Sequence, residues 1–312
     1  MMNSIIVKDL VKTYGSVRAL DGLNLQVEGG HIFGFMGPNG AGKTTTMRIL
    51  TGLAKPTRGG AQVAGIDLAR DGRDLTRHIG YLPEEPAFYP WMTPVEFLDY
   101  LGRLYGLQSK IRSQRGRELL ELVKLDDSGR RRIGGFSRGM RQRLGIAAAM
   151  VNQPEVLLLD EPASALDPSG RKEVLDLIES LRGRCTVLMS THILADVERV
   201  CDVVGIVAHG KMIVQSERQA LLDKYALPMF EIEAGPEEIL KRWSDSLHGQ
   251  SWFTSAELTG NKARLAVSDV RLAKQELLPG ALRFGLEIER YEELKPSLED
   301  IFLRLVAGEE VK

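Results

Sequence analysis

The run Gly37-Pro38-Asn39-Gly40-Ala41-Gly42-Lys43-Thr44 limits what this chain can fold into more than any other feature. It fits G-x-x-x-x-G-K-[ST], which needs a strand before it and a helix after it. Both are present: Ile32–Met36 is a short apolar run, and Thr44–Leu50 has helical character. Glycines let backbone N–H groups turn inward where side chains would block an anion's oxygens, and the helix adds its positive N-terminal end. Lys43 offers a compact cation to the outer phosphates of a nucleotide. The Thr44 hydroxyl, with Thr45 beside it, is a hard oxygen ligand for Mg²⁺. The expected fold is α/β: a P-loop nucleoside-triphosphatase core around a mostly parallel sheet.

A second run, Val156-Leu157-Leu158-Leu159-Asp160-Glu161, is an apolar strand that ends in two acids. One reading is a solvated strand end. The other follows from the rule that parallel sheets bind ligands beyond the carboxyl ends of their strands. Asp160 then holds Mg²⁺, and Glu161 faces an attacking water as general base. A carboxylate directly after the Mg²⁺ acid suits hydrolysis rather than transfer to a second hydroxyl.

The 312 residues suggest one large domain and one smaller one. The formal net charge of -1 points neither to nucleic acid nor to an acidic tail. Every apolar stretch is interrupted before membrane-spanning length, and Met1–Asp9 has no leader pattern, so the chain is expected in the cytoplasm. Cys185 and Cys201, without a C-x-x-C, read as reduced core thiols. Ile5–Val11 and Leu23–Val27 read as N-terminal strands, and Thr186–Met189 as a second buried strand. Gly170–Leu181 reads as a helix, and Val203–Ala208 with Lys211–Gln215 as a hairpin turned at His209-Gly210. Between Glu84 and Arg132 apolar residues recur at helical spacing (Phe97, Tyr100, Leu101, Leu104; Leu119, Leu122, Val123).

From about Tyr225 the texture changes. Phe230–Ala234 (strand), Glu237–Trp243 (helix), Trp252–Leu258 and Ala263–Val267 (strands), Leu272–Leu278 (helix) and Leu282–Glu289 (strand) give a small split β-α-β arrangement, followed by an amphipathic helix at Ser297–Val306. The expected domains are 4–224, with a helical subdomain at about 85–150 and an antiparallel N-terminal part, and an α+β accessory domain at 225–312.

Four further elements resemble those of ABC (ATP-binding cassette) ATPases, in their order and spacing. Phe136-Ser137-Arg138-Gly139-Met140-Arg141-Gln142 resembles the signature between the two nucleotide motifs. Ser164-Ala165-Leu166-Asp167 resembles the D-loop, Ser190-Thr191-His192 the switch histidine, and Lys12-Thr13-Tyr14-Gly15 the A-loop. The resemblance covers roughly Ser4 to Lys224 and implies an ATPase that uses ATP and Mg²⁺. It implies that Ser137 and Gly139 of one subunit cover nucleotide held by a second copy or close homologue, and that Asp167 is among the ATP-binding residues. It implies that His192 contacts the γ-phosphate and the attacking water, and that Tyr14 stacks on adenine. Taken alone, Ser137 is a helix cap, His192 a polar loop residue and Tyr14 a core aromatic.

The sequence departs from the family at Arg138 and Met140, and at Glu84, where the motif after Ile79-Gly80-Tyr81-Leu82-Pro83 usually has glutamine. Glu84 retains a carbonyl-type oxygen and is expected to sense the metal. Arg130, Arg131, Arg132, Arg138, Arg141 and Arg143 form a basic cluster, either a solvated face or a dock for a partner loop or acidic lipid. Within the family the chain looks like the branch serving exporters with separate short permeases. The closing Pro296-Ser297-Leu298-Glu299-Asp300-Ile301-Phe302 is similar to that branch's C-terminal element. This implies an integral membrane permease as partner and no nucleic acid. The rival is a soluble ABC ATPase of ribosome- or DNA-associated type. One cassette per chain and the lack of a long coiled coil weigh against it.

Overall fold

The computed structural model describes residues 3–70, 74–225, 228–294 and 298–307. Met1–Arg218 and Gln219–Lys312 are two compact units.

In the first unit, β1 (Asn3–Tyr14) and β2 (Val17–Glu28) pair antiparallel and lead into β3 (Ile32–Met36) and α1 (Lys43–Leu50). β4 (Arg58–Val63) and β5 (Ile66–Asp67) follow, then β6 (Ile79–Leu82). The helical section contains α2 (Pro94–Leu104), α3 (Ser109–Leu122) and α4 (Arg138–Ala149). β7 (Val156–Asp160), α5 (Pro168–Ser180), β8 (Thr186–Thr191), α6 (Leu194–Val200), β9 (Val203–Ala208) and β10 (Lys211–Glu217) complete the order, and α7 (Arg218–Tyr225) starts at the last residue of this unit and continues in the second. β9 and β10 are the hairpin turned at His209-Gly210.

Among the described residues these strands form an antiparallel sheet, β2-β1-β4-β5, and a larger sheet, β10-β9-β3-β8-β7-β6. The larger sheet is parallel except for β10. Every residue of β3, β7 and β8 is buried, because a parallel sheet here is covered on both faces and its strands read as unbroken apolar runs. β4, β5, β6 and α6 were not expected as elements from the sequence. β5 and β6 are only two and four residues long. Such short pieces are defined by their partners rather than by their own period.

The helical section begins with a capping box. The Thr93 hydroxyl accepts from the Glu96 N–H at 3.3 Å, and the Glu96 carboxylate accepts from the Thr93 N–H at 2.8 Å. Those bonds hold the Glu96 carboxyl below its usual range. The α2 face read from helical spacing divides: Phe97 is buried, but Leu104 and Tyr100 are exposed.

The second unit contains β11 (Met229–Gly235), α8 (Glu237–Ser246), β12 (Phe253–Thr259), β13 (Lys262–Val267), α9 (Val270–Arg283), β14 (Glu287–Leu294) and α10 (Leu298–Ala307). The strand order β12-β13-β11-β14, all antiparallel, is that of a split β-α-β domain. Its core joins Phe230, Ile232 and Ala234 to Leu240 and Trp243 of α8 and Leu277 of α9. The expected strand at Leu282–Glu289 needs correction. Leu282 and Arg283 end α9, and the strand starts at Glu287. Pro279-Gly280 reads as a helix stop, yet α9 continues through Pro279 while Leu277 and Ala281 are buried in the same core. Packing outweighs the backbone bond that proline removes. Pro296 and Ser297 lie outside the described residues.

Candidate nucleotide site

Parallel register brings the chemistry-bearing residues to one edge of the sheet. Asp160, the last residue of β7, stands opposite Ser190 of β8, and Thr191 stands opposite Met36 of β3. Leu82 of β6 pairs with Leu159, so Glu84 follows at the same edge. The loop of 37–42 joins β3 to α1 there, and Lys43 opens the helix.

The loop is a cradle that side chains would fill. A Cβ on Gly37 would lie 2.3 Å from the Val207 carbonyl oxygen. Gly42 has φ 108°, and a Cβ there would meet Leu20 Cδ2 at 2.5 Å and the Ala19 carbonyl oxygen at 2.8 Å. Only glycine satisfies both the left-handed backbone and the contact. The β9–β10 turn fixes the loop from behind: the Gly210 N–H donates to the Ala41 carbonyl at 3.1 Å.

Lys43 is a buried cation. Its Nζ donates to the Gly37 carbonyl at 2.7 Å and lies 3.4 Å from Glu161 Oε1. The other Glu161 oxygen, Oε2, is 2.9 Å from His192 Nδ1. Glu161 is itself buried and has φ 48°, a left-handed backbone that a glutamate rarely adopts. Asp160 is bonded differently. Ser190 Oγ donates to Asp160 Oδ1 at 2.6 Å, and Thr44 Oγ1 approaches the same oxygen at 3.4 Å. Burial pushes the Asp160 carboxyl above its usual range, and the two hydroxyls pull against that shift. Ser190 also accepts from the Glu161 N–H at 3.0 Å, so one hydroxyl positions both acids. That role was not legible in the sequence, where Ser190 only precedes His192. The missing signal is the strand register.

One cleft is lined by Pro38, Asn39, Gly40, Gly42, Lys43, Thr44, Thr45, Glu84, Glu161, Ser164 and His192, with Val17, Arg18 and Ala19 of β2 on its wall. Tyr14 ends β1 on the same hairpin; it is exposed, and Lys12 Nζ lies 4.6 Å above its ring. The backbone of Glu84 is tied to the signature helix: Gln142 Nε2 donates to the Glu84 carbonyl at 3.3 Å. α4 can approach β6 this closely because a Cβ on Gly80 would lie 2.2 Å from the Ala149 carbonyl oxygen.

Seven expected site residues are not among those lining the cleft: Tyr14, Gly37, Ala41 and Asp160, which belong to the elements around it, and Ser137, Gly139 and Asp167. Ser137 caps α4, accepting from the Met140 N–H at 3.2 Å. Gly139 lies against Gly170, 3.7 Å from its Cα to a Cβ built on Gly139, and Asp167 is the exposed N-cap of α5. The signature thus sits against the start of α5 beside Asp167, while Ser164, at the other end of the D-loop, lines the cleft. Within the basic cluster, Arg131 and Arg141 donate to the carbonyls of Gly135 and Phe136, and Arg143 to that of Val123.

The profile of the ABC transporter family matches residues 20–164. That of the ATP-binding protein DrrA1-3-like C-terminal domain matches 217–306. An uncharacterized ABC transporter ATP-binding protein of Bacillus subtilis (strain 168) is 39% identical over 96% of this chain and 98% of its own. The chain belongs to the ABC transporter ATP-binding family. It is an ATPase. A Nod factor export ATP-binding protein of Burkholderia lata is 33% identical to this ABC ATPase over 97% of this chain and 96% of its own. Among solved structures, a dimeric ATP-binding cassette in a post-hydrolysis state bound to ADP and Pi superposes with a TM-score of 0.61 at 28% identity, covering 68% of this chain and 98% of that one.

Proposed function

We propose that this chain is the ATP-hydrolysing subunit of an exporter and that two copies, or one copy and a close homologue, close head to tail over two ATP molecules. The observation that carries the reading is the separation just described. Ser137 and Gly139 pack beside α5 and do not line the cleft that holds Lys43 and Glu161. A capped helix end with no acid in its first turn suits phosphate, and a second copy can bring it to the first copy's cradle.

Within the cleft, Lys43 and the loop N–H groups hold the outer phosphates, and Tyr14 stacks on the base. The donor set fits Mg²⁺: the Thr44 hydroxyl, Asp160 and Glu84 are hard oxygens. Among the described residues no cluster of three or more acid, histidine or cysteine side chains forms a metal cage by itself. That suits an ion held jointly with phosphate oxygens. When bound, Mg²⁺ supplies charge that offsets the charge developing on the phosphates. Glu161 is the base for the attacking water. His192, 2.9 Å from it, orients that carboxylate and reaches the γ-phosphate. Asp167 bridges to the second copy.

Among the described residues no helix is long and apolar enough to cross a membrane. In this reading the transport step falls to a separate permease, with this subunit on its cytoplasmic face. Its dock is the groove between β6 and the helical section, lined by Pro86, Phe88, Phe97, Leu101, Tyr105 and Ala148. Closure on ATP would reshape that groove through Glu84 and α4. A relative named for Nod factor export, matched over 97% of this chain, supports this direction over a ribosome- or DNA-associated role.

Hydrolysis measured against protein concentration tests the dimer. The expected rate per chain rises with concentration, and Glu161→Gln protein elutes as a dimer in ATP. A rate per chain independent of concentration, from a protein that stays monomeric in ATP, overturns it.

A further inference from the structure

We propose that Arg171 and Asp196 form a clamp that positions His192, fixing the helix behind the switch histidine to the helix that starts at the D-loop. The inference rests on the assignment of His192 to the γ-phosphate and the attacking water.

His192 is followed by one residue and then by α6, a helix of seven residues, too short to hold its own orientation. Its ring is half-exposed, and Glu161 Oε2 is its recorded hydrogen-bond partner. Beside that bond, what positions the histidine acts through the backbone of α6. Asp196, in the first turn of that helix, is 2% exposed. Arg171 of α5 reaches it with two nitrogens: Nε and Nη2 are each 2.7 Å from Asp196 Oδ1. Arg199 at the end of α6 pairs with Asp176 of α5, so the helices are joined at two levels.

The charge arrangement adds a second reason for the clamp. Burial pushes the Asp196 carboxyl upward, and the charge of Glu161 pushes in the same direction. Arg171 is the main cation that offsets both, with a smaller contribution from Arg199. Without it, a buried acid would sit uncompensated behind the histidine, and α6 would shift to rehydrate or protonate it.

The start of α5, where Arg171 itself stands, shows what the clamp connects. Asp167 is the N-cap of α5, Gly170 touches the signature glycine Gly139, and Glu173 pairs with Arg143 of α4 at 3.3 Å. A displacement of the signature or D-loop by a second copy would reach α5 first. Through Arg171–Asp196 it would then reach His192. Arg171 and Asp196 touch no reacting atom, so they are positioning residues.

A double-mutant cycle on the full chain separates positioning from plain stability. The kcat and KM for MgATP would be measured for wild type, Arg171→Gln, His192→Ala and the double variant, with size analysis in ATP for each in the Glu161→Gln background. Arg171→Gln is expected to lower kcat by about tenfold or more while KM stays within about twofold, because an interaction that matters in the transition state is lost. In the His192→Ala background the same change should cost less than about twofold, since residues acting as a unit are not additive. The ATP-bound dimer should still form. Equal fractional losses in both backgrounds, or an unchanged kcat for Arg171→Gln, overturn the clamp while leaving the histidine assignment intact. An unchanged kcat for His192→Ala removes that assignment and the clamp with it. Asp196→Asn keeps the shape, leaves no buried charge and carries the same cycle if Arg171→Gln does not fold.

Discussion

The large sheet of the first unit and the four-stranded sheet of the second solve burial in opposite ways. In β3, β7 and β8 both faces are covered, and polarity is pushed to the strand ends, where Asp160, Glu161, Ser190 and the phosphate loop converge. In the accessory sheet one face meets α8 and α9, and the other carries cross-strand ion pairs. Glu231 faces Arg264 at 3.0 Å, and Glu233 faces Lys262 at 3.3 Å. The first arrangement concentrates buried, closely packed charge at one edge. The second pairs its charges locally across strands and leaves none buried without a partner on that face. Catalysis belongs to the region whose polar groups are least at ease.

If that contrast holds, substitutions at the strand ends change turnover, and substitutions in the accessory sheet change only stability. The largest expected effect is Glu161→Gln, which should lower kcat by about 10²–10⁴-fold, read in a steady-state assay, because general-base catalysis contributes that much. A loss under tenfold would break the comparison at its centre. Trp243→Ala should next cost the accessory unit about 3–5 kcal/mol in urea denaturation, the usual cost of deleting a buried aromatic. Affinity for MgATP by equilibrium dialysis should stay within about twofold, and a joint loss would show that the two regions are not independent.

Arg264→Ala should cost about 1–2 kcal/mol, because it leaves Glu231, only 7% exposed, in register with Glu292. Lys262→Ala, at a more open pair, should cost about 0.5 kcal/mol or less. Equal effects from the two would mean that burial of Glu231 does not matter. The subtlest effect is Asp160→Asn. The Asp160 carboxyl is raised by burial, so the folded chain holds its proton more tightly than the unfolded chain does. Stability from that group is present at low pH and falls as pH rises through its folded value. At neutral pH the asparagine variant should therefore melt higher than wild type without nucleotide, by about 2–4 °C, while losing Mg²⁺-dependent hydrolysis. A lower melting point would sink the idea that this edge stores unfavourable charge.

Much of this was legible in the residues because the relevant signals are local. The phosphate loop, the acids after Leu159 and the hairpin at His209-Gly210 depend on spacing within one short segment, and the structure places them as the spacing implies. What escaped was non-local. β6 has four residues, and it is a strand because β7 pairs with it. Ser190 acts on both acids only because register sets it opposite Asp160. Gln142 reaches Glu84 across 58 positions, which no periodicity reports.

The sequence by itself therefore determined the family, the α/β class and the residue types that meet a phosphate. Glycine, lysine, hydroxyl and carboxylate at fixed spacing have few other uses. Only the tertiary structure decided that Ser137 and Gly139 stand apart from the cleft of their own chain, that one serine positions two acids, and that α5 is pinned to the helix behind His192. Those facts depend on which strands and helices become neighbours, and contacts between distant segments are set by packing the whole core rather than by any one segment's preference.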